Sequence, residues 1–92
     1  MIKSISVDDL KPNQEVTLRR FKDLLCAYDV DRYQMPLIPW GMNSRMIPYL
    51  GRRVKIVYLD SDTNWGYFII QESARWKWSP ELIEITKFDD EN

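Results

Sequence analysis

The chain contains no histidine and only one cysteine among its 92 residues. The absence of histidine removes the commonest general base, the Ser-His and Cys-His nucleophile pairs, and the zinc sites that use imidazole. The single cysteine, Cys26, has no partner for a disulfide within the chain. Since no other catalytic constellation is visible, we expect a protein that is not an enzyme and needs no cofactor.

Long hydrophobic runs are also lacking. No apolar run approaches the roughly 20 residues that a bilayer-spanning helix needs. Charged residues interrupt the N-terminal segment, which is not typical of a signal peptide. The sequence therefore predicts a protein of a reducing compartment, without a membrane segment.

The composition is typical of one small globular domain. Hydrophobic residues make up 45% of the chain and charged residues 29%, both ordinary fractions for a folded domain. The net charge of −1 conceals a gradient, because three acidic residues fall in the last five positions. Without them, 13 basic and 11 acidic residues leave a charge of +2. We expect one domain over residues 1–87 and a frayed acidic tail over residues 88–92.

Alternating hydrophobic and polar residues predict several short β-strands. The first is expected over residues 15–21. The strongest is expected over residues 52–59, where Val54, Ile56 and Tyr58 would share one face. The remaining strands are expected over residues 65–72, 74–78 and 83–86.

The connections between these strands are predicted by proline and by polar residues. Pro36 and Pro39 interrupt the stretch after the first strand, so we expect a long loop over residues 23–41 with about one helical turn near its start. The segments NSRMIPYLG and SPELIEI each predict one further helical turn. Short strands, tight turns and a helical turn before the last strand predict a mainly β domain, a small SH3-like β-barrel.

Three motifs, MIPYLGRRVKIVYLD, GYFIIQE and RWKWSPELIEI, together resemble a group of small, uncharacterised proteins encoded by bacteriophages and prophages. The resemblance covers roughly residues 15–85. Arg52 and Leu82 stand where the group usually has Lys and Met. The resemblance implies a small β-barrel with an accessory role for a phage, and it implies no catalytic residue. The matching positions are Met46, Gly51, Arg52, Trp76, Trp78, Glu81 and Leu82.

The segment DSDTNWG offers oxygen atoms at the spacing with which an EF-hand loop begins. Asp60, Asp62 and Asn64 hold positions 1, 3 and 5 of such a loop. Trp65, however, replaces the required glycine, and Gln71 replaces the bidentate glutamate. The same polar residues are typical of a hairpin turn, so we predict a turn without a metal ion.

The twelve aromatic residues are too many for a core of this size, so some rings must be exposed and available for binding. Trp76 and Trp78 alternate with basic residues and are expected in the core or at its edge. Trp40, in the proline-rich loop, and Trp65, in the hairpin loop, are expected to be exposed contact residues.

Basic residues form three groups along the chain, and their guanidinium groups are suited to binding phosphate. The alternative is an ordinary solvated surface, which the pI of about 5.3 favours. Cys26 lies in the apolar segment LLCAY and is expected to be buried. The predicted contact surface combines rings with arginines: Trp40, Tyr49, Arg52, Arg53, Trp65 and Arg75.

These observations predict a non-enzymatic, phage-type binding protein that inhibits or sequesters a bacterial host factor. That factor would be a defence protein or its nucleotide-derived signal, in the cytoplasm of the host. Two alternatives remain open. A nucleic-acid-binding barrel would bind with an affinity that falls steeply with salt, and a virion or assembly component would form a stable oligomer.

Overall fold

The computed structural model describes residues 5–63 and 65–85. Their main feature is an open, four-stranded antiparallel sheet in the sequential order β1-β2-β3-β4. This confirms the prediction of a mainly β fold. The strands are β1 (Glu15–Thr17), β2 (Arg53–Asp60), β3 (Tyr67–Ile70) and β4 (Ser73–Trp78).

Short helices precede, join and follow the strands. The α-helix α1 (Phe21–Ala27) follows β1, and turns of 3₁₀ helix cover Val7–Asp9, Ile47–Tyr49 and Pro80–Leu82. The last of these confirms the turn predicted from SPELIEI, and the Ser79 hydroxyl caps it by accepting a hydrogen bond from the Glu81 N–H. In the described part of the chain, no helix has the length and apolar character needed to cross a bilayer.

Helix α1 corrects two predictions. The first strand ends at Thr17 instead of residue 21, because Phe21, Leu24 and Tyr28 recur at helical spacing and Leu24 is fully buried on that face. The expectation that Cys26 is buried is also wrong, since its side chain is exposed. Cys26 follows Leu24 by two residues, or about 200° around a helix, and therefore points away from the core.

The core lies against one face of the sheet, with Phe68 and Trp78 as its largest fully buried side chains. These two residues are paired across β3 and β4. The expectation for the β4 tryptophans is confirmed, because Trp78 is buried and Trp76 packs at the margin of the core. The remaining buried members are Ile5, Leu10, Val16, Leu18, Leu24, Ile38, Met46, Val54, Ile56, Ile70, Leu82 and Ile83.

A β-bulge in β2 changes the direction of Tyr58. Ile56 pairs with Ile70, but Tyr58 pairs with Ile69, so two residues of β2 advance against one of β3. Such an extra residue breaks the alternation of side chains between the two faces. The prediction that Tyr58 shares the buried face of Ile56 is therefore wrong, and Tyr58 is 51% exposed.

The segment after the last 3₁₀ turn runs beside β1. Leu18 and Ile83 form an isolated antiparallel bridge, and backbone hydrogen bonds of 2.7 and 2.8 Å flank it on either side. The strand predicted over residues 83–86 is thus a single bridge within the described residues. Residues 86–92, which include the predicted acidic tail, lie outside the described residues.

Candidate functional site

Four aromatic rings contact one another where β2 ends and β3 begins. The ring centroid of Trp40, from the loop after α1, lies 6.2 Å from that of Trp65 and 5.2 Å from that of Tyr67. The Tyr58 centroid lies 6.2 Å from that of Tyr67. We call these four residues the aromatic surface. Trp65 is 64% exposed, so a binding partner has access to this surface.

Trp40 is fixed by its backbone and by a long-range hydrogen bond. Its φ of +70° lies in the left-handed region, which bulky side chains rarely occupy. Its indole Nε1 donates a hydrogen bond of 2.8 Å to the carbonyl oxygen of Gly66, 26 residues away. Backbone strain of this kind persists only where the surrounding structure enforces it, and it concentrates at functional sites. Trp40 is therefore positioned before any ligand arrives.

Gly66 makes this arrangement sterically possible. Its φ is +66°, and a Cβ atom at this position would lie 2.5 Å from Cγ1 of Val7. Val7 is buried in the first 3₁₀ turn, directly against the glycine. A residue with a side chain at this position would move either Val7 or the carbonyl group that anchors Trp40.

Two polar side chains of the DSDTNWG segment bond to the loop itself, while Asn64 lies outside the described residues. An Asp60 carboxylate oxygen accepts a hydrogen bond of 2.8 Å from the Asp62 N–H. The Thr63 hydroxyl accepts one of 3.2 Å from the Gly66 N–H. Partial burial raises the pKa of Tyr67, and a hydrogen bond to the Asp60 carboxylate and the charge of that carboxylate add to the effect. Asp60 and Thr63 thus use their oxygen atoms to shape the turn.

Lys77 places its ammonium group against two of the rings. Its Nζ atom lies 4.8 Å from the centroid of Trp40 and 5.1 Å from the centroid of Tyr67. Together with the 5.2 Å between these centroids, the three points form a nearly equilateral triangle. A cation over an exposed ring face is worth about 0.5–1 kcal/mol. Lys77 therefore belongs to the candidate site.

A groove of about 430 Å³ borders the aromatic surface at Trp65. Pro39 and Pro80 contribute apolar walls, and Glu81 contributes a carboxylate. The Tyr28 hydroxyl donates a hydrogen bond of 3.4 Å to this carboxylate. Burial, and secondly the charge of Glu81, raise the pKa of Tyr28. The groove therefore suits a ligand with apolar surface and positive charge.

The other four predicted contact residues lie at the opposite end of the sheet. Because β2 and β4 both run antiparallel to β3, their starting residues meet at the same end. Arg52 and Arg53 lie at the start of β2, and Arg75 lies near the start of β4. Tyr49 donates a hydrogen bond of 3.5 Å to the carbonyl group of Glu72, in the turn between β3 and β4. We call this region the arginine end.

The side chains at the arginine end do not form a common site. The Nε atom of Arg53 lies 3.1 Å from a carboxylate oxygen of Glu15. The guanidinium of Arg75 lies 5.7 Å from the ring centroid of Trp76. The Tyr49 ring packs edge-on against the fully buried Trp78 at 5.9 Å, which indicates a structural role. Of the six predicted residues, Trp40 and Trp65 contact each other through their side chains, and Tyr49 and Arg52 are joined by a backbone hydrogen bond of 3.3 Å.

Three members of the site were missed in the sequence: Tyr58, Tyr67 and Lys77. A signal was present for two of them, because Tyr67 and Lys77 alternate with the buried Phe68 and Trp78. Tyr58 gave no such signal, since only the bulge in β2 brings it to this surface.

Comparison of the chain with protein-family models, with curated proteins and with solved structures finds no match. The candidate site is therefore defined by its own geometry. That geometry combines four rings, one ammonium group and a groove with a carboxylate on its wall.

Proposed function

We propose that this chain is a non-enzymatic binding protein that holds a bacterial host factor on its aromatic surface. The proposal rests on four rings that pack in series, with the highly exposed Trp65 at one end. Tryptophan and tyrosine dominate binding hot spots because they contribute large contact areas through few rotatable bonds. Since Trp40 is already anchored to Gly66, binding orders fewer groups and loses less free energy.

The bacterial origin of the partner is proposed from the resemblance of residues 15–85 to phage and prophage proteins. Among bacterial factors, we favour a host protein over a nucleotide-derived signal. Sites for small molecules are concave and enclose most of the ligand. The aromatic surface is instead open, with Trp65 and Tyr58 more than half exposed, as suits the face of a protein.

A nucleic acid fits this surface less well than a protein does. Lys77 supplies one positive charge beside the rings, but the carboxylates of Asp60 and Glu81 also lie beside the surface or its groove. A phosphate backbone would meet these negative charges, and nucleic-acid affinity depends on neutralising phosphates with several cations. A protein partner with basic and apolar side chains agrees better with this set of groups.

We infer in addition that the fold is an SH3-like barrel closed by the segment after the last 3₁₀ turn. The Leu18–Ile83 bridge supports this inference, as does the position of the Pro80–Leu82 turn directly before it. Amide hydrogen exchange provides the test. The Arg19 and Glu84 N–H groups, which bond across to Leu82 and Thr17, should exchange as slowly as those of β2. Rapid exchange at both would contradict closure.

The binding proposal is tested by affinity capture from a nuclease-treated bacterial lysate. Tagged wild-type protein is compared with Trp65→Ala and with Tyr33→Ala, whose side chain is equally exposed at 66%. Tyr33 is a matched control because its described ring contact is with Arg32, outside the aromatic surface. We expect the wild type and Tyr33→Ala to retain the same partner and Trp65→Ala to lose it.

Other outcomes of the capture experiment would overturn the proposal. Equal capture by Trp65→Ala would remove the aromatic surface from the interaction. Capture from an untreated lysate that is absent from the nuclease-treated lysate would indicate a nucleic-acid-binding module instead. A stable oligomer of the chain that captures nothing would indicate an assembly component.

A further inference from the structure

We propose that the corner between Trp40 and Tyr67 is a binding site for a methylated ammonium group, and that Lys77 is its built-in, displaceable occupant. This inference rests on the proposed function of the aromatic surface. To that function it adds the chemical class of the ligand group that the aromatic surface binds.

The geometry of the two rings is that of a cation site. Their planes meet at 70°, with centroids 5.2 Å apart, so the two rings form the sides of a corner. The Nζ atom of Lys77 lies inside this corner, over both rings. Because the face of an aromatic ring carries negative potential, two faces directed at one point attract a cation more strongly than one face does.

The corner is built by contacts that do not involve Lys77. Trp40 is held by its hydrogen bond to the Gly66 carbonyl, and Tyr67 by its pairing with Asp60 between β2 and β3. The Asp60 carboxylate also places a negative charge near Tyr67, which favours a cation. Removing the lysine side chain therefore leaves two oriented rings and an accessible space between them.

Lys77 itself is a weak occupant. Its side chain is exposed, and the ion pairs that join Arg20 to Asp23 and Arg53 to Glu15 do not involve it. A primary ammonium is strongly hydrated and lies on a flexible stem, so resting on the rings stabilises it little. Methylation weakens this hydration and adds methyl groups that pack on the rings, and such cations are typical ligands of aromatic cages.

The methylated ammonium could belong to a lysine side chain of a polypeptide or to a free small molecule such as choline. Both present the same cation to the corner. They differ in what lies beyond it, because a polypeptide would extend over Trp65 and into the groove that Pro39 and Glu81 line. The experiment therefore uses a bare cation first and then one representative of each source.

The test is a titration of the full, ¹⁵N-labelled chain followed by NMR. The indole Nε1–H signal of Trp40, assigned with a Trp40→Phe variant, reports on the corner. Tetramethylammonium chloride is added at constant ionic strength against sodium chloride. We expect saturable shifts of this signal in the wild type and an affinity about 2–5-fold higher in Lys77→Ala, because that variant removes the competing ammonium.

Three comparisons make the result specific. Arg75→Ala removes another cation from the same strand, one that lies over Trp76, and should leave the affinity unchanged. Tyr67→Leu retains an apolar side chain but removes one ring face, and should abolish saturable binding. The alcohol 3,3-dimethylbutan-1-ol, the uncharged counterpart of choline, should bind at least about fivefold more weakly than choline. This last comparison needs no variant and stays valid if Tyr67→Leu does not fold.

The proposal is overturned if Lys77→Ala binds the cation no more tightly than the wild type, or if the alcohol equals choline. A trimethyllysine pentapeptide that binds more tightly than choline identifies a polypeptide source, and the reverse order identifies a small molecule. If tetramethylammonium binds no variant while Trp65→Ala still loses the captured partner, this inference fails and the proposed function stands. If the cation binds but Trp65→Ala captures the partner as well as the wild type does, the proposed function fails.

Discussion

At the end of the sheet where β2 passes into β3, side chains from two strands and a distant loop hold one another in place. At the opposite end, where β2 and β4 begin, each predicted contact residue interacts with a different partner. Arg53 pairs with Glu15, Arg75 lies over Trp76, and Tyr49 packs on the core. Exposed charge alone therefore does not make a site on this molecule. The candidate site is found where side chains share partners and have fixed positions.

The energetics of the two ends differ in the same way. The Arg53–Glu15 pair is more than half exposed on both sides, and such surface pairs contribute about 0–1 kcal/mol. At the aromatic surface, Trp40 tolerates a left-handed backbone because a hydrogen bond and two ring contacts compensate for it. Mutations should therefore have large effects at the aromatic surface and small effects at the arginine end.

The largest stability effect is expected for Gly66→Ala. A left-handed alanine costs about 1–2 kcal/mol, and the overlap with Val7 adds about 1–3 kcal/mol. Gly41→Ala is the control, because its φ is +74° but a Cβ atom there would have no neighbouring atom within 4 Å. Urea unfolding should show a loss of about 2–5 kcal/mol for Gly66→Ala and about 1–2 kcal/mol for Gly41→Ala. Equal losses would mean that the contact with Val7 is unimportant.

The largest effect on binding is expected for Trp65→Ala. Loss of a hot-spot tryptophan from an interface costs about 2 kcal/mol or more, which corresponds to about a 30-fold weaker affinity. Arg52→Ala, at the arginine end, should change the affinity by less than about twofold. Calorimetric titration with the captured partner measures both. If Arg52→Ala weakened binding more than Trp65→Ala, the binding site would lie at the arginine end instead of the aromatic surface.

A moderate effect is expected for Trp40→Phe. Phenylalanine retains an aromatic ring but cannot donate to the Gly66 carbonyl, so about 0.5–1.5 kcal/mol of stability should be lost. Unfolding in urea measures the loss. The Tyr67 amide resonance should shift in the same variant, because the Tyr67 N–H shares a peptide group with the Gly66 carbonyl, which loses its partner. An unchanged stability would show that the hydrogen bond does not hold the loop.

A small effect is expected for Arg53→Gln. The ion pair with Glu15 is solvent-exposed, so its removal should cost less than about 1 kcal/mol and the cost should shrink in high salt. Thermal unfolding at low and high ionic strength provides the measurement. A salt-independent loss of several kcal/mol would mean that the arginine end is structurally important.

The smallest effect is a dependence of stability on alkaline pH. Burial and a neighbouring carboxylate raise the pKa of Tyr28 and of Tyr67 above the ordinary value of 10.0. A raised pKa means that the folded state binds the proton more tightly, so this stabilisation is complete below pH 10 and is lost as the pH rises through the raised pKa. Denaturation curves of Tyr28→Phe should show a shallower alkaline loss than those of the wild type.

Part of the candidate site was predictable from the sequence because local rules applied. Trp65 lies in a polar hairpin loop, where a large side chain finds little cover, and it is exposed as predicted. Trp40, in the proline-rich loop, was also expected to be exposed, but it is partly buried because its indole bonds to Gly66. The burial of Trp78 followed from alternation along β4. The helix at Phe21–Ala27 was predictable only in part, because its apolar residues are few and the segment also fits the end of a strand.

The rest of the site depends on features with no local signature. The bulge in β2 arises from its pairing with β3 and exposes Tyr58 against the alternation. The left-handed backbone of Trp40 depends on contacts with residues more than 20 positions away. The overlap of Val7 with any side chain at position 66 is likewise a property of the folded chain.

The most direct test of this account is an NMR titration of the ¹⁵N-labelled chain with its captured bacterial partner. If the aromatic surface binds the partner, the largest shifts will occur at the indole groups of Trp40 and Trp65 and at the amides of Tyr58, Tyr67 and Lys77. Residues 49–53 and 73–76 should then shift little. The largest shifts in those two segments, with the aromatic surface unchanged, would contradict the assignment of the binding site.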